Sequence, residues 1–240
     1  MKKVAVVGFD RPIMEKELKK HGFVIEKVNP DVVVSFGGDG AALVGEQLYP
    51  GVPRLAIKHS RVCKKCAVGE EHDFSEIIEK LKKKRYKIVK EYKVEGMVND
   101  DKRKLLVGLN EINVAHAIPT KAIRFNAAID GQPIADNLIG DGVLVATPYG
   151  SSAYFYVITG RKFSGKLGIA FNNVNKKIRC RLASLGSTVH ITVSRGPAFM
   201  CADNNTTMIP LKDGDVVTVK ASKERSKIIE LKGEKRKVSV

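Results

Sequence analysis

The chain has 240 residues, 43% hydrophobic and 28% charged, which excludes a disordered chain or a collagen-like repeat. Lysine and arginine number 42 against 26 acids, and a net charge of +16 favours anionic partners: nucleic acid, phosphorylated small molecules or an acidic lipid surface. Four cysteines are too few to staple a scaffold of this length.

Taken in chain order, residues 3–9 (KVAVVGF) read as a buried strand, too short for the core of a secretory leader. Residues 11–21 read as a helix, with Asp10 as its cap, Pro12 in its first turn and Gly22 after its end. Phe23–Val28 is a second strand. Asp31–Ser35 is a third, apolar enough to be buried on both faces of a parallel sheet. Phe36-Gly37-Gly38-Asp39-Gly40 leads into a helix over Ala41–Leu48, and Tyr49-Pro50-Gly51-Val52-Pro53 separates it from a fourth strand, Arg54–Lys58. Residues 73–85 form a helix with Phe74, Ile77, Ile78 and Leu81 on one face and Asp73 and Glu76 as a capping box. The basic run Lys80–Lys93 reads as a solvated helix end rather than a nucleic-acid patch.

Past residue 88 the texture changes to short alternating segments: Ile88–Val94, Met97–Asn99, Leu105–Val114, Ile123–Ile129, Gly142–Thr147, Gly168–Phe171, Thr188–Val193, Val216–Ala221 and Lys227–Leu231. Asp130-Gly131 and Asp213-Gly214 supply turns between them. The expected architecture is an α/β N-terminal domain with an open, mostly parallel sheet over 1–88. An all-β C-terminal domain of sandwich or layered-sheet type follows over 89–240. The longest uncharged stretch, between Asp141 and Arg161, is interrupted by Thr147-Pro148-Tyr149-Gly150, so a cytoplasmic protein with no membrane partner is expected.

Three segments could carry chemistry. Gly37-Gly38-Asp39-Gly40 falls between a buried strand and a helix, where glycines let backbone N–H groups approach phosphate oxygens. An acid inside such a turn repels phosphate unless it holds a metal ion on it or takes a proton from an attacking hydroxyl. The plainer alternative is that Asp39 caps the helix. Asn110-Glu111, inside the strand-like Leu105–Val114, can meet an adenine edge and a ribose hydroxyl. Asp141-Gly142 leads through a short strand into Thr147-Pro148-Tyr149-Gly150-Ser151-Ser152-Ala153-Tyr154, a turn whose hydroxyls and small residues suit a polar ligand at close range.

GGDG, then Asn-Glu, then Asp-Gly with Thr-Pro-x-Gly-Ser-x-Ala-Tyr, in that order and near these spacings, resembles the NAD kinase family from Val4 to about Leu231. The resemblance implies phosphoryl transfer from ATP, or polyphosphate, with Mg²⁺, to the adenosine ribose 2′-hydroxyl of NAD. By the same resemblance, Asp39 matches the acid that activates the hydroxyl, and Gly37, Gly38 and Gly40 the phosphate-binding turn. Asn110 and Glu111 match contacts to adenosine, and Asp141 an acid that binds the dinucleotide, often from a neighbouring subunit. Thr147, Tyr149, Ser152, Ala153 and Tyr154 fall in the loop that packs on the nucleosides. A homodimer or homotetramer is implied, without a nucleic-acid partner. Alternatives are a kinase acting on another nucleotide, nucleoside or lipid hydroxyl, and a nucleotide- or nucleic-acid-binding protein without catalysis.

Where that family has Gly-x-Asn-x-Gly-x-Leu-Gly-Phe, this chain reads Ala56-Ile57-Lys58-His59-Ser60-Arg61-Val62-Cys63, and GGDGT is GGDGA, ending on Ala41. Lys58 and Arg61 are candidates for anion contact. His59 reads as a surface residue at a strand end. Cys63-Lys64-Lys65-Cys66 is a lone CxxC without the second pair that zinc needs, so its thiols read as structural or incidental. Asp203, in Cys201-Ala202-Asp203-Asn204-Asn205, reads as a turn residue.

Overall fold

A computed structural model of the chain describes residues 2–59, 66 and 74–233. In chain order it contains β1 (Lys3–Val7), α1 (Arg11–Lys20), β2 (Val24–Ile25), β3 (Val32–Gly37), α2 (Asp39–Leu48), β4 (Arg54–Lys58), α3 (Phe74–Lys82) and β5 (Tyr86–Val98). Then follow β6 (Leu105–Gly108), β7 (Glu111–His116), β8 (Ile123–Ile129), β9 (Gln132–Gly140), β10 (Gly142–Ala146) and α4 (Tyr154–Thr159). The chain closes with β11 (Lys166–Asn172), β12 (Cys180–Ser184), β13 (Thr188–Arg195), β14 (Ala198–Ala202), β15 (Ile209–Leu211) and β16 (Val216–Leu231).

Contacts divide the chain into Met1–Glu91 with Arg225–Val240, and Tyr92–Glu224. A division at residue 88 places the end of the chain with the second unit; here the end of β16 belongs to the first.

In the first unit β2, β1, β3 and β4 run parallel in that order, and the end of β16 adds beside β4, with Ile228 opposite Arg54. Val32, Val33 and Val34 are all buried, as their continuous apolar run requires of a central parallel strand. Met14 and Leu18 of α1 and Ile77, Ile78 and Leu81 of α3 join Val4, Val34, Leu55 and Ile57 in one core. The second strand is shorter than 23–28 because Phe23 is drawn into that core and its N–H closes the end of α1 on the Leu18 carbonyl. Asp73, the expected cap of α3, lies outside the described residues.

In the second unit the start of β16 pairs antiparallel with β13, β13 with β8, and β8 with β9. A second, wholly antiparallel sheet has the order β12-β11-β10-β7-β14-β15. Phe125, Val189, Ile191 and Val217 of the one layer pack with Ile112, Val143, Ile169 and Met200 of the other, which makes this unit a sandwich. The Leu105–Val114 run is not one strand: it breaks at Leu109-Asn110, between β6 and β7. Among the described residues no helix is long and apolar enough to cross a membrane.

Candidate active site

In the first unit the glycine turn grows out of β3. Gly37 has φ +150° and Gly38, extended at φ −110°, takes the cap position of α2, so Asp39 is the first helical residue. The cap therefore offers no side chain, and the plainer role for Asp39, capping the helix, is not what the backbone shows. Asp39 sits half-buried at the positive end of α2, where a carboxylate is favoured. A side chain at Gly8 (φ +140°) would run into the Phe36 carbonyl, so only glycine lets the loop after β1 lie against the end of β3.

The parallel register sets Lys58 opposite Gly37, and the His59 N–H donates to the Gly37 carbonyl at 2.8 Å. That brings Lys58 to the turn, as an anion contact would need. The His59 ring stacks on Phe36 at 4.3 Å, and its Nε2 lies 3.2 Å from an Asp10 carboxylate oxygen. No local spacing signals this pair, which joins the end of one strand to the start of a helix 49 positions earlier. Arg61 and Cys63 lie outside the described residues, and Cys66 is disulfide-bonded. No group of three or more His, Cys, Asp or Glu among the described residues could hold a metal ion.

A cavity of about 620 Å³ opens beside the turn. Val6, Phe36 and Val44 give it an apolar floor, and Phe9, 98% exposed, and Tyr49 stand among its lining groups. Arg11, Lys27 and His59 add cationic or protonatable groups. An apolar slot beside cationic groups and a glycine turn suits a flat heterocycle carrying phosphates.

In the second unit Asn110 and Glu111 are buried at a corner held from two sides. On one side the Asp203 carboxylate accepts the N–H groups of Leu109 (2.7 Å), Asn110 (2.7 Å) and Glu111 (3.1 Å). On the other, Thr147 donates its hydroxyl to the Leu109 carbonyl (2.6 Å) and its N–H to the Asn110 carbonyl (2.8 Å). The Gly150 N–H donates back to that hydroxyl at 3.0 Å, and a Cβ at Gly150 would collide with the Asn110 carbonyl. The structure thus brings Asn110, Glu111, Thr147 and the Tyr149–Ser152 turn together. Asn110 stands in the break between strands, not within one.

Ala153 closes that turn, its N–H donating to the Gly150 carbonyl at 2.8 Å, and precedes α4. The Tyr154 hydroxyl accepts from Asn172 (3.1 Å), while Asp141 accepts from the neighbouring Asn173 (3.0 Å) with His116 Nδ1 at 3.8 Å. The sequence reading missed Asn172, Asn173 and His116, and saw only the turn in Asp203. The Cys201 thiol, on the adjoining strand, is pushed up to about 11 by burial and then by the Glu111 and Asp203 carboxylates, so it stays protonated at neutral pH.

Residues 109–231, more than half of the chain, match the ATP-NAD kinase C-terminal domain. The NAD kinase of Methanoculleus marisnigri is 30% identical over 211 residues, 85% of this chain and 76% of that protein. The chain belongs to the NAD kinase family. The NAD kinase of Saccharolobus solfataricus is 36% identical over 135 residues, and there the chain spans about half of the relative's length, 51%. Two solved structures share the fold of this NAD kinase family member. An Archaeoglobus fulgidus NAD kinase in complex with ATP superposes with a TM-score of 0.81 over 97% of this chain and 94% of that one, at 22% identity. Yeast NADH kinase complexed with NADH gives 0.80 over 95% and 83%, at 16% identity.

Proposed function

We propose that the chain transfers the γ-phosphoryl group of ATP to the 2′-hydroxyl of the adenosine ribose of NAD, giving NADP and ADP. The observation that carries this reading is Asp39, set by a glycine turn at the start of α2 within a chain of the NAD kinase family. Asp39 accepts the hydroxyl proton as the ribose oxygen bonds to the γ-phosphorus and the bond from that phosphorus to the bridging oxygen of ADP breaks. Gly37, Gly38 and Gly40 receive phosphate on main-chain N–H groups, and Lys58 and Arg61 contact phosphate. Asn110 and Glu111 bind adenosine. Asp141, Thr147, Tyr149, Ser152, Ala153 and Tyr154 contact the dinucleotide.

With no three-ligand cluster among the described residues, Mg²⁺ would fit as an ion that arrives on the nucleotide, and Asp39 is the residue that would help to hold it there. When bound it would neutralise charge on the phosphates. The apolar floor of the cavity beside the turn supports a nucleotide donor over inorganic polyphosphate. The test is a phosphoryl-transfer screen of the purified chain with ATP or polyphosphate against NAD, NADH and a panel of nucleosides and lipids. NADP formed from ATP and NAD is the expected result; no transfer to NAD from either donor would overturn the reading.

We also propose a cytoplasmic homodimer or homotetramer without a nucleic-acid partner. Val157 of α4 is 71% exposed and Leu182 of the edge strand β12 is 46% exposed, apolar surface of the kind that a second copy covers. Sedimentation at micromolar concentration should show a species at least twice the mass of the single chain. A monomer alone would contradict the assembly.

A further inference from the structure

The corner at Leu109–Glu111 has an unusual main-chain account. β7 pairs antiparallel with β14, and the last pair of that ladder is Ala202 with Ile112. One residue further the partner main chain turns away, and Asp203 adopts the left-handed conformation at φ +49°. Its N–H still donates to the Glu111 carbonyl at 3.2 Å, but from there its side chain replaces the strand. One carboxylate oxygen accepts from Leu109 and the other from Asn110 and Glu111, three consecutive N–H groups on one residue. Charge-assisted bonds to main-chain N–H groups are among the stronger ones available. A turn at positive φ is made with less strain by glycine, so the turn itself is no reason for an aspartate there.

With Thr147 holding the carbonyls of Leu109 and Asn110, both edges of these peptides are fixed. We propose that Asp203 is a positioning residue for dinucleotide binding: its carboxylate fixes the main chain that aims Asn110 and Glu111 at adenosine. The inference rests on the NAD kinase reading above and adds to it a residue more than ninety positions from the pair it serves.

The decisive variant is Asp203→Gly, which is compatible with the left-handed turn and removes the carboxylate. NAD binding is measured by calorimetry, and KM for NAD and for ATP by steady-state rates, alongside a thermal melt. The expected result is a loss of NAD affinity of about tenfold or more, with KM for ATP within twofold of the unaltered chain. In the double variant with Asn110→Ala, the loss of NAD affinity should be smaller than the two single losses combined, because part of the Asp203 loss acts through Asn110. Unchanged NAD affinity would overturn the proposal. So would an equal loss for both substrates together with a lower melting temperature, the result of a purely structural role. If Asp203→Gly fails to fold, Asp203→Asn sets an amide against the Leu109 N–H while retaining one oxygen acceptor, and the same criteria apply to it. Failure of the unaltered chain to bind NAD would overturn the functional reading and this inference with it. A normal parent with an equally normal variant would overturn the inference alone.

Discussion

Asp39→Asn is expected to leave the fold intact and to lower turnover on the order of 10²-fold or more. The amide has the size of the carboxylate but cannot accept the proton that the attacking hydroxyl must lose. The cap of α2 is Gly38, so the substitution breaks no capping bond, and losing an acid from the first helical turn costs roughly 0.3–1 kcal/mol. KM for NAD should change less than turnover, whereas KM for ATP should rise as well, because Asp39 would also help to hold Mg²⁺ on the phosphates that the main-chain N–H groups of the glycine turn receive. Initial rates and a thermal melt on the same preparation check this. Near-normal rates would leave Asp39 as a helix-end charge and remove it from the chemistry.

How much of this was legible in the sequence depends on where each group finds its partner. β1, β3, β4 and α1 could be read because burial on both faces of a parallel sheet leaves continuous runs such as Val32–Val34, and one buried stripe leaves Met14 and Leu18 four apart. The glycine turn could be read because it is local. β9, β12 and β15 could not: they stand at sheet edges with mostly exposed or half-exposed residues, and β9 and β15 carry prolines that argue against a strand. β14 is only five residues long. Val216–Ala221 and Lys227–Leu231 form one strand, because the polar stretch between them continues the ladder. The break at Leu109-Asn110 was hidden because its cause, the Asp203 carboxylate, comes from the far end of the same unit. Residue types and family motifs located Asn110 and Glu111. Only the fold shows what holds them.

Arg54→Met is expected to destabilise the protein by about 3–5 kcal/mol, the usual cost of leaving one charge of a buried pair behind. Arg54 and Glu46 are 2% and 3% exposed, and Arg54 Nη1 lies 2.6 Å from Glu46 Oε2. Arg54 Nη2 donates to the Ser226 hydroxyl at 3.1 Å, and that hydroxyl donates to Glu46 Oε2 at 2.5 Å. One network therefore ties the neighbouring α2 and β4 to the end of β16, far away in sequence. Methionine fills most of the space of the arginine stem, so the loss reports the stranded carboxylate rather than a cavity. Adding Glu46→Gln should recover part of the loss, since a neutral amide costs less to bury than a carboxylate. Urea denaturation of the parent, Arg54→Met and the double variant measures each step. An Arg54→Met protein within about 1 kcal/mol of its parent, below the range for a broken buried pair, would show that water or protonation relieves Glu46. It would also show that α2, whose first residue is Asp39, is held in place by its apolar packing alone.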